Sequence, residues 1–146
     1  MDDIDRTLLR ALIDDARLSY QQLADEVHLS SNSTADRVRR LRQMGILAGF
    51  HAELDLGTLG YTLHSLTDAK LKEAIDRRDF EHDLSEVPQL LNAVHTTGEF
   101  DYQLRIVSRS TNELESVGDT LRQLGARDIQ SRIVLGETRF NTARLL

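Results

Sequence analysis

The residues best placed to do chemistry are arginines. Arg37, Arg39, Arg40 and Arg42 crowd together where Asp36 is the one acid between positions 31 and 45, four positive charges against one negative. Just before them stands Ser31-Asn32-Ser33-Thr34, four short side chains that donate and accept hydrogen bonds. Short polar groups in the first turn of a helix reach base edges closely, and arginines further along reach phosphate oxygens or the acceptor pair of guanine. The chain as a whole carries a formal net charge of −6. Salt confines the field of a local stripe to about 10 Å at 0.1 M, so an acidic chain still presents a cationic surface there. Asp36 would repel phosphates and is expected to meet a cytosine amino group or to pair with Arg40 or Arg39.

Bond-making chemistry has little to work with. There is no cysteine, which removes thiolate nucleophiles, disulfides and Cys-ligated metals. His28, His51, His64, His82 and His95 are scattered, with no i, i+3 or i+4 pair for a metal, and no Gly-x-Ser-x-Gly, Walker or Gly-x-Gly-x-x-Gly stretch occurs. No catalytic residue, metal or cofactor is therefore expected. No apolar run approaches a membrane span, and Met1-Asp2-Asp3-Ile4-Asp5 is the opposite of a basic signal region. The expected address is cytoplasmic.

The elements that position the arginines follow from periodicity. Ile4, Leu8, Leu9, Leu12 and Ile13 recur at helical spacing, with acids at 2, 3 and 5 suited to the positive end of the helix dipole. Ser19 with Gln22 spells a capping box for a second helix burying Leu23, Ala24 and Val27. After His28-Leu29-Ser30, Ser30 or Ser31 caps a third helix that buries Ala35, Val38, Leu41 and Met44 and stops at Gly45. Three helices with so short a turn between the last two predict a helix-turn-helix. Opposite Val38 the third helix gathers Ser33, Asp36 and Arg40, flanked by Asn32 and Arg37. Residues 46–54 alternate as a strand would, and Gly57 and Gly60 read as a hinge; together they suggest a linker that pairs with its counterpart in a second subunit.

The second half has a different rhythm. Strands are predicted over 62–71, 91–97 and 102–107, and a last one is marked by Ile129, Ser131, Ile133 and Leu135. Helices are predicted over 79–87, closed by Pro88, and from Ser110, whose capping box uses Glu113, to Gly125. The order βαββαβ is the ferredoxin-like plan, one antiparallel sheet with two helices on one face. The other face is expected to be apolar, with a partner subunit as its simplest cover.

Three segments, in this order and spacing, carry a resemblance. They are Asp2-Asp3-Ile4-Asp5-Arg6-Thr7-Leu8-Leu9, the third-helix run Arg37-Val38-Arg39-Arg40-Leu41-Arg42-Gln43-Met44-Gly45-Ile46-Leu47, and Thr97-Gly98-Glu99-Phe100-Asp101-Tyr102. Over nearly its whole length the chain resembles the Lrp/AsnC (feast/famine) family of transcription regulators. The resemblance implies an α+β protein: an N-terminal winged-type helix-turn-helix DNA reader and a C-terminal ferredoxin-like effector domain, often called RAM. It also implies dimers assembling into tetramers or octamers, with a small effector, commonly an amino acid, bound between dimers. The second-helix opening, Arg17-Leu18-Ser19-Tyr20, looks like the regulators too. Carried over, residues Thr97, Gly98, Glu99, Phe100, Asp101 and Tyr102 form the effector loop. Its amides would accept a ligand carboxylate, and Glu99 or Asp101 would pair with an ammonium. Where members often carry an acid at the start of the following helix this chain has Ser110, and where many carry proline in the recognition helix it has Ser31 and Asn32.

The expected domains are a helix-turn-helix at 1–50, a strand and hinge at 51–60, the RAM domain at 61–138 and a tail at 139–146. The expected function is sequence-specific binding of double-stranded DNA by a dimer, tuned by an effector. Asn32, Ser33, Arg37 and Arg40 would read bases, and Ser19, Tyr20, Ser31, Thr34 and Arg39 complete the DNA-contacting set. Two other readings use the same plan: an architectural DNA binder relying on arginine–phosphate contacts, and an enzyme like the siroheme decarboxylases.

Overall fold

The computed structural model describes residues 1–146 and divides them into two compact units, 1–53 with 138–146, and 54–137. The linker read over 51–60 is thus shared between the units. The tail read over 139–146 belongs with the first unit, where Asn141 Nδ2 donates to Asp14 (3.0 Å) and Arg139 pairs with Glu53.

The first unit holds α1 (Asp3–Asp14), α2 (Tyr20–Val27) and α3 (Ser31–Gln43). Each begins at a side chain that satisfies an orphan N–H. The Asp2 carboxylate accepts from Asp5 N (2.8 Å), Ser19 Oγ from Gln22 N (3.2 Å) and Ser30 Oγ from Ser33 N (3.2 Å). The capping box read at Ser19 is complete, because Gln22 Oε1 accepts from Ser19 N at 2.8 Å. The turn into α3 is made at His28, a left-handed residue with φ +54°. Leu8, Leu12, Leu23 and Val38 form the core, each worth about 1.5–3 kcal/mol on burial. Ile13 and Met44, read as buried, are exposed; they sit at the last turn and the C-cap of their helices, past the residues that the core gathers.

No strand forms over 46–54. The N–H groups of Ile46 and Leu47 both return to Leu41 O (3.0 and 3.2 Å), closing α3. Beyond them the backbone pairs with no strand of its own chain, and the counterpart expected for it belongs to a second subunit. Nor are Gly57 and Gly60 a loose hinge. Gly60 N–H donates to Gly57 O (2.9 Å), Tyr61 N–H to Leu56 O (2.9 Å), and Asp55 accepts from both Thr58 N and Thr58 Oγ1 (3.1 and 2.7 Å).

The second unit runs β1 (Leu63–Leu71), α4 (Arg77–Leu84), β2 (Leu90–His95), β3 (Tyr102–Ser108), α5 (Thr111–Gln123) and β4 (Ala126–Ile133). All pairs are antiparallel, in the order β2-β3-β1-β4, which is the ferredoxin-like arrangement. On the inner face Ala69, Tyr102, Leu104 and Ile106 pack against Phe80 and Leu84 of α4 and Val117 and Leu121 of α5. Helix α4 starts earlier than its apolar spacing suggested, because Asp76 accepts from Arg78 N and Asp79 N. It ends at Leu84, leaving Val87 buried in the turn that follows. The box read at Ser110 is half formed. Ser110 Oγ accepts from Glu113 N (3.2 Å), but Glu113 reaches past it, to Arg109 N (2.6 Å) and Gln89 (2.9 Å).

The outer sheet face is mixed rather than apolar. His64, Leu66, Val94 and Val107 alternate there with Asn92, Gln103, Gln130, Arg105 and Arg132. Asp68 organises this face, accepting from Gln103 Nε2 (3.1 Å) and Arg132 Nη2 (2.5 Å).

Candidate DNA-reading helix and effector loop

Helix α3 presents its first turn to solvent. Asn32 and Ser33 are exposed, and the Asn32 amide makes no hydrogen bond within the chain. Ser31 is half-buried, donating to Gln21 Oε1 of α2 at 2.6 Å, so the first turn is braced against its neighbour. Tyr20 stands exposed at the start of α2, while Ser19 is occupied as its cap. Thr34 cannot contact DNA in this arrangement. It is fully buried with its hydroxyl unpartnered, because position 34 lies one turn before Val38 on the same inward face.

The arginines divide into two sets. Arg37 Nη1 donates to Asp2 (2.7 Å) and Asp5 (2.9 Å), and Arg40 Nη2 donates to both oxygens of Asp5 (3.2 and 3.0 Å). Two of the four residues read as base contacts are therefore spent on α1. Arg39 pairs with Asp36, one of the two outcomes left open for that acid, and Arg42 carries no ion pair. The exposed side chains of α3 thus include Asn32, Ser33, the Asp36–Arg39 pair, Arg42 and Arg40, whose guanidinium is half exposed even while it donates to Asp5.

Asp5 is the residue the sequence reading missed. It is 1% exposed, on the buried stripe with Leu8, Leu9 and Leu12 at i+3, i+4 and i+7. A carboxylate on an apolar stripe demands cationic partners, and that was the available signal. The helix dipole alone does not answer that demand, because Asp5 faces the core. Asp2, beside it, is held below the usual carboxylate range by the Asp5 N–H and then by the Arg37 guanidinium. Arg37 is raised in return, first by Asp2 and then by Asp5.

In the second unit the loop after β2 is pinned at its far end. Asp101 N–H donates to Ala69 O (3.0 Å), Asp101 Oδ2 accepts from Leu71 N (2.8 Å), and Thr96 N–H donates to Asp101 O (2.9 Å). Asp101 thus fastens the loop to the end of β1. Tyr102 is buried in the core, its hydroxyl donating to Glu81 (2.6 Å) and its ring 5.3 Å from Phe80 and 5.1 Å from His95. Asp101 and Tyr102, both read as effector residues, thus make structural contacts within the chain. Between the pins, the N–H groups of Thr97, Gly98, Glu99 and Phe100 bond to nothing in the chain, and Gly98 sits at φ +121°, where only glycine is unstrained. Four such N–H groups are left as exposed donors. Ser110 is remote from them. The seven residues of β3 separate it from the loop by about 20 Å, so it cannot serve the same ligand within one chain.

No three His, Cys, Asp or Glu side chains gather as a metal-holding group, and no helix is long and apolar enough to cross a membrane.

Three helices with an exposed polar first turn, and a separate βαββαβ unit with an open amide loop, define a DNA-binding unit joined to a ligand-binding one. Residues 1–48 match the family described as winged helix-turn-helix DNA-binding, and residues 68–143 match the Lrp/AsnC ligand binding domain. The chain belongs to the Lrp/AsnC family of transcriptional regulators. It is 37% identical over 109 residues to the Bkd operon transcriptional regulator of Pseudomonas aeruginosa, covering 73% of this chain and 71% of that one. It is 32% identical over 124 residues to the regulatory protein AsnC of Haemophilus influenzae (85% and 83% covered). Among solved structures, a transcriptional regulator from Neisseria meningitidis in complex with L-Met superimposes with a TM-score of 0.89 at 29% identity, covering 100% of this chain and 99% of that one.

Proposed function

We propose that the chain acts as a dimer that reads a specific operator through the first turn of α3, without catalysing a reaction, and that a small amino-acid effector held at the 97–100 amides changes its assembly. The observation that carries this reading is the exposed pair Asn32 and Ser33 at the front of a braced helix, with Arg42 and Arg39 further along its outer surface. An asparagine amide pairs with adenine through N6 and N7, and arginines fix the register on phosphates. The polar first turn favours base reading over purely architectural binding, which needs cations alone. Arg37 and Arg40 hold α3 against α1 and act as positioning residues.

Dimerisation would place two α3 helices on successive major grooves about 34 Å apart. Supporting it is the uncovered sheet face, where Leu66 and Val94 lie amid groups able to pair across a two-fold axis. The effector class draws support from the unbonded amides, suited to an α-carboxylate, and from the L-Met held by the Neisseria relative. Coupling of about 1–3 kcal/mol between effector and DNA gives a response of roughly tenfold scale. Such a protein works beside the chromosome, in the cytoplasm.

Fluorescence anisotropy on duplex DNA from upstream of its own gene tests this, with a scrambled duplex and a salt series beside it. Preference of a hundredfold or more for the native duplex is expected. Equal, salt-steep binding to both would establish the architectural reading instead, and no binding even at low salt would overturn both in favour of the siroheme-decarboxylase-like reading, which tetrapyrrole absorbance then tests.

A further inference from the structure

One acid stands on helix α3. Asp36 is its only carboxylate, and it is exposed. The side chain caps no helix; it accepts from Arg39 Nη1, and Arg39 is exposed as well. An ion pair between two exposed side chains three positions apart adds little to stability. A carboxylate on a surface that meets DNA also opposes the approach of phosphates. Neither stability nor non-specific affinity therefore accounts for Asp36.

Its position does. Asn32, Asp36 and Arg39 follow at i, i+4 and i+7, so they share one stripe of the helix. Thr34, Val38 and Leu41 are buried on the other side. The stripe thus carries the first-turn amide, then a carboxylate, then the guanidinium which that carboxylate holds. Of the other arginines on α3, Arg37 and Arg40 donate to Asp5. Arg42 lies off the stripe and has no ion pair.

We propose that the Asp36–Arg39 pair is the guanine-selecting element of this helix, Arg39 reading the base and Asp36 acting as its positioning residue. The proposal rests on the reading of α3 as the helix that meets the operator. A phosphate is held through net charge, which Asp36 offsets on Arg39 and nothing offsets on Arg42. The O6 and N7 acceptors of guanine carry no net charge and are held through direction, which an anchored guanidinium supplies. One N–H is spent on Asp36, and the remaining donors of the fork suffice for a bidentate contact. A side chain held in place before binding also loses less rotamer freedom on contact.

Selection from a pool of duplexes randomised over the binding site, followed by sequencing, tests the pair in the full chain. The wild type is expected to enrich a motif in which guanine is preferred about tenfold or more at one position of each half-site. In Arg39→Ala that position loses its preference while the rest of the motif stays. Asp36→Asn relaxes the same position. Its anisotropy on scrambled duplex at fixed ionic strength shows binding as tight as wild type or tighter, because a repelling charge is gone. Circular dichroism checks the fold of both variants, which change exposed side chains. If Arg39→Ala weakens every sequence alike and leaves the motif unchanged, Arg39 is a phosphate contact and the proposal is overturned. A wild-type motif without such a guanine overturns it too. So does a motif that Asp36→Asn leaves intact, or alters at a different position, where Asp36 would itself accept from a cytosine. No enriched motif in the wild type removes the operator reading, and the proposal with it.

Discussion

Arg37 of α3 and Asp5 of α1 stand 2.9 Å apart, nitrogen to oxygen, with the carboxylate buried and the guanidinium three-quarters covered. This contact changes what the basic stripe is for. A cation that bridges two helices holds α3 at a fixed angle to α1, and Arg40 on the same carboxylate does likewise.

Replacing Asp5 with Asn is expected to cost about 2–3 kcal/mol, toward the low end for a broken buried pair because both guanidiniums keep some water. Urea denaturation at neutral pH measures it. A loss under about 0.5 kcal/mol would class the cluster with ordinary surface pairs.

On DNA, Asn32→Ala and Arg42→Ala should separate cleanly. The first is expected to cost about 1–3 kcal/mol on the operator and almost nothing on scrambled duplex; the second weakens both alike and lowers the salt slope by about one. Anisotropy titrations on the two duplexes show the difference. Equal losses from Asn32→Ala would demote it to a backbone contact.

Gly98→Asp is expected to abolish the response of DNA binding to amino acids. At φ +121° any side chain strains the loop, although open space surrounds the site, and a carboxylate would repel the ligand's own. Operator affinity without ligand is measured alongside. Collapse of both would make the loop a structural element.

Acid should weaken the protein in part through three carboxylates. Asp2 and Asp55 sit below 3.8, Asp2 through the Asp5 N–H and Arg37, Asp55 through the Thr58 hydroxyl and N–H; Glu113 sits below 4.5 through Gln89 and the Arg109 N–H. A lowered folded value means stability present above the unfolded value and lost as pH falls through the folded one. Melting temperature should therefore hold steady from neutral down to about pH 5 and drop below about 4. Tyr102 has the opposite sign. Burial, then the Glu81 bond, pushes its phenol above 10.0, so its contribution is lost only in strong alkali. A flat acid limb would refute the carboxylate assignments.

His28→Gly should stabilise the first unit by about 0.5–1 kcal/mol, because a left-handed residue carrying a Cβ is strained where glycine is not. Thermal melts of the two proteins test this, and a destabilised glycine variant would mean that the imidazole makes contacts worth more than the strain.

Much of this architecture could be read from the chain because it is locally encoded. The Ser19–Gln22 box, the alternation of Tyr102, Leu104 and Ile106, and the stop at Gly125 each depend on residues a few positions apart. What escaped the sequence depends on distant partners. Asp5 meets Arg37 and Arg40 across more than thirty positions, and only the fold reveals that these arginines are engaged. Thr34 looked like a polar contact because its neighbours are polar, yet its place one turn from Val38 decided its burial. Residues 46–54 alternate like a strand, but the partner expected for them lies in a second subunit, so they make no ladder within the chain.

The Asp2–Asp5–Arg37–Arg40 cluster also sets how the protein meets its target in time. With those charges neutralised internally and Asp36 tied to Arg39, little positive field extends beyond the helix surface, while the −6 of the chain opposes a polyanion from afar. Added salt then acts in two directions: it screens the repulsion and quickens encounter, and it weakens the phosphate contacts and shortens residence. Searching and holding are thereby separate kinetic properties, one belonging to the whole chain and the other to a single helix face.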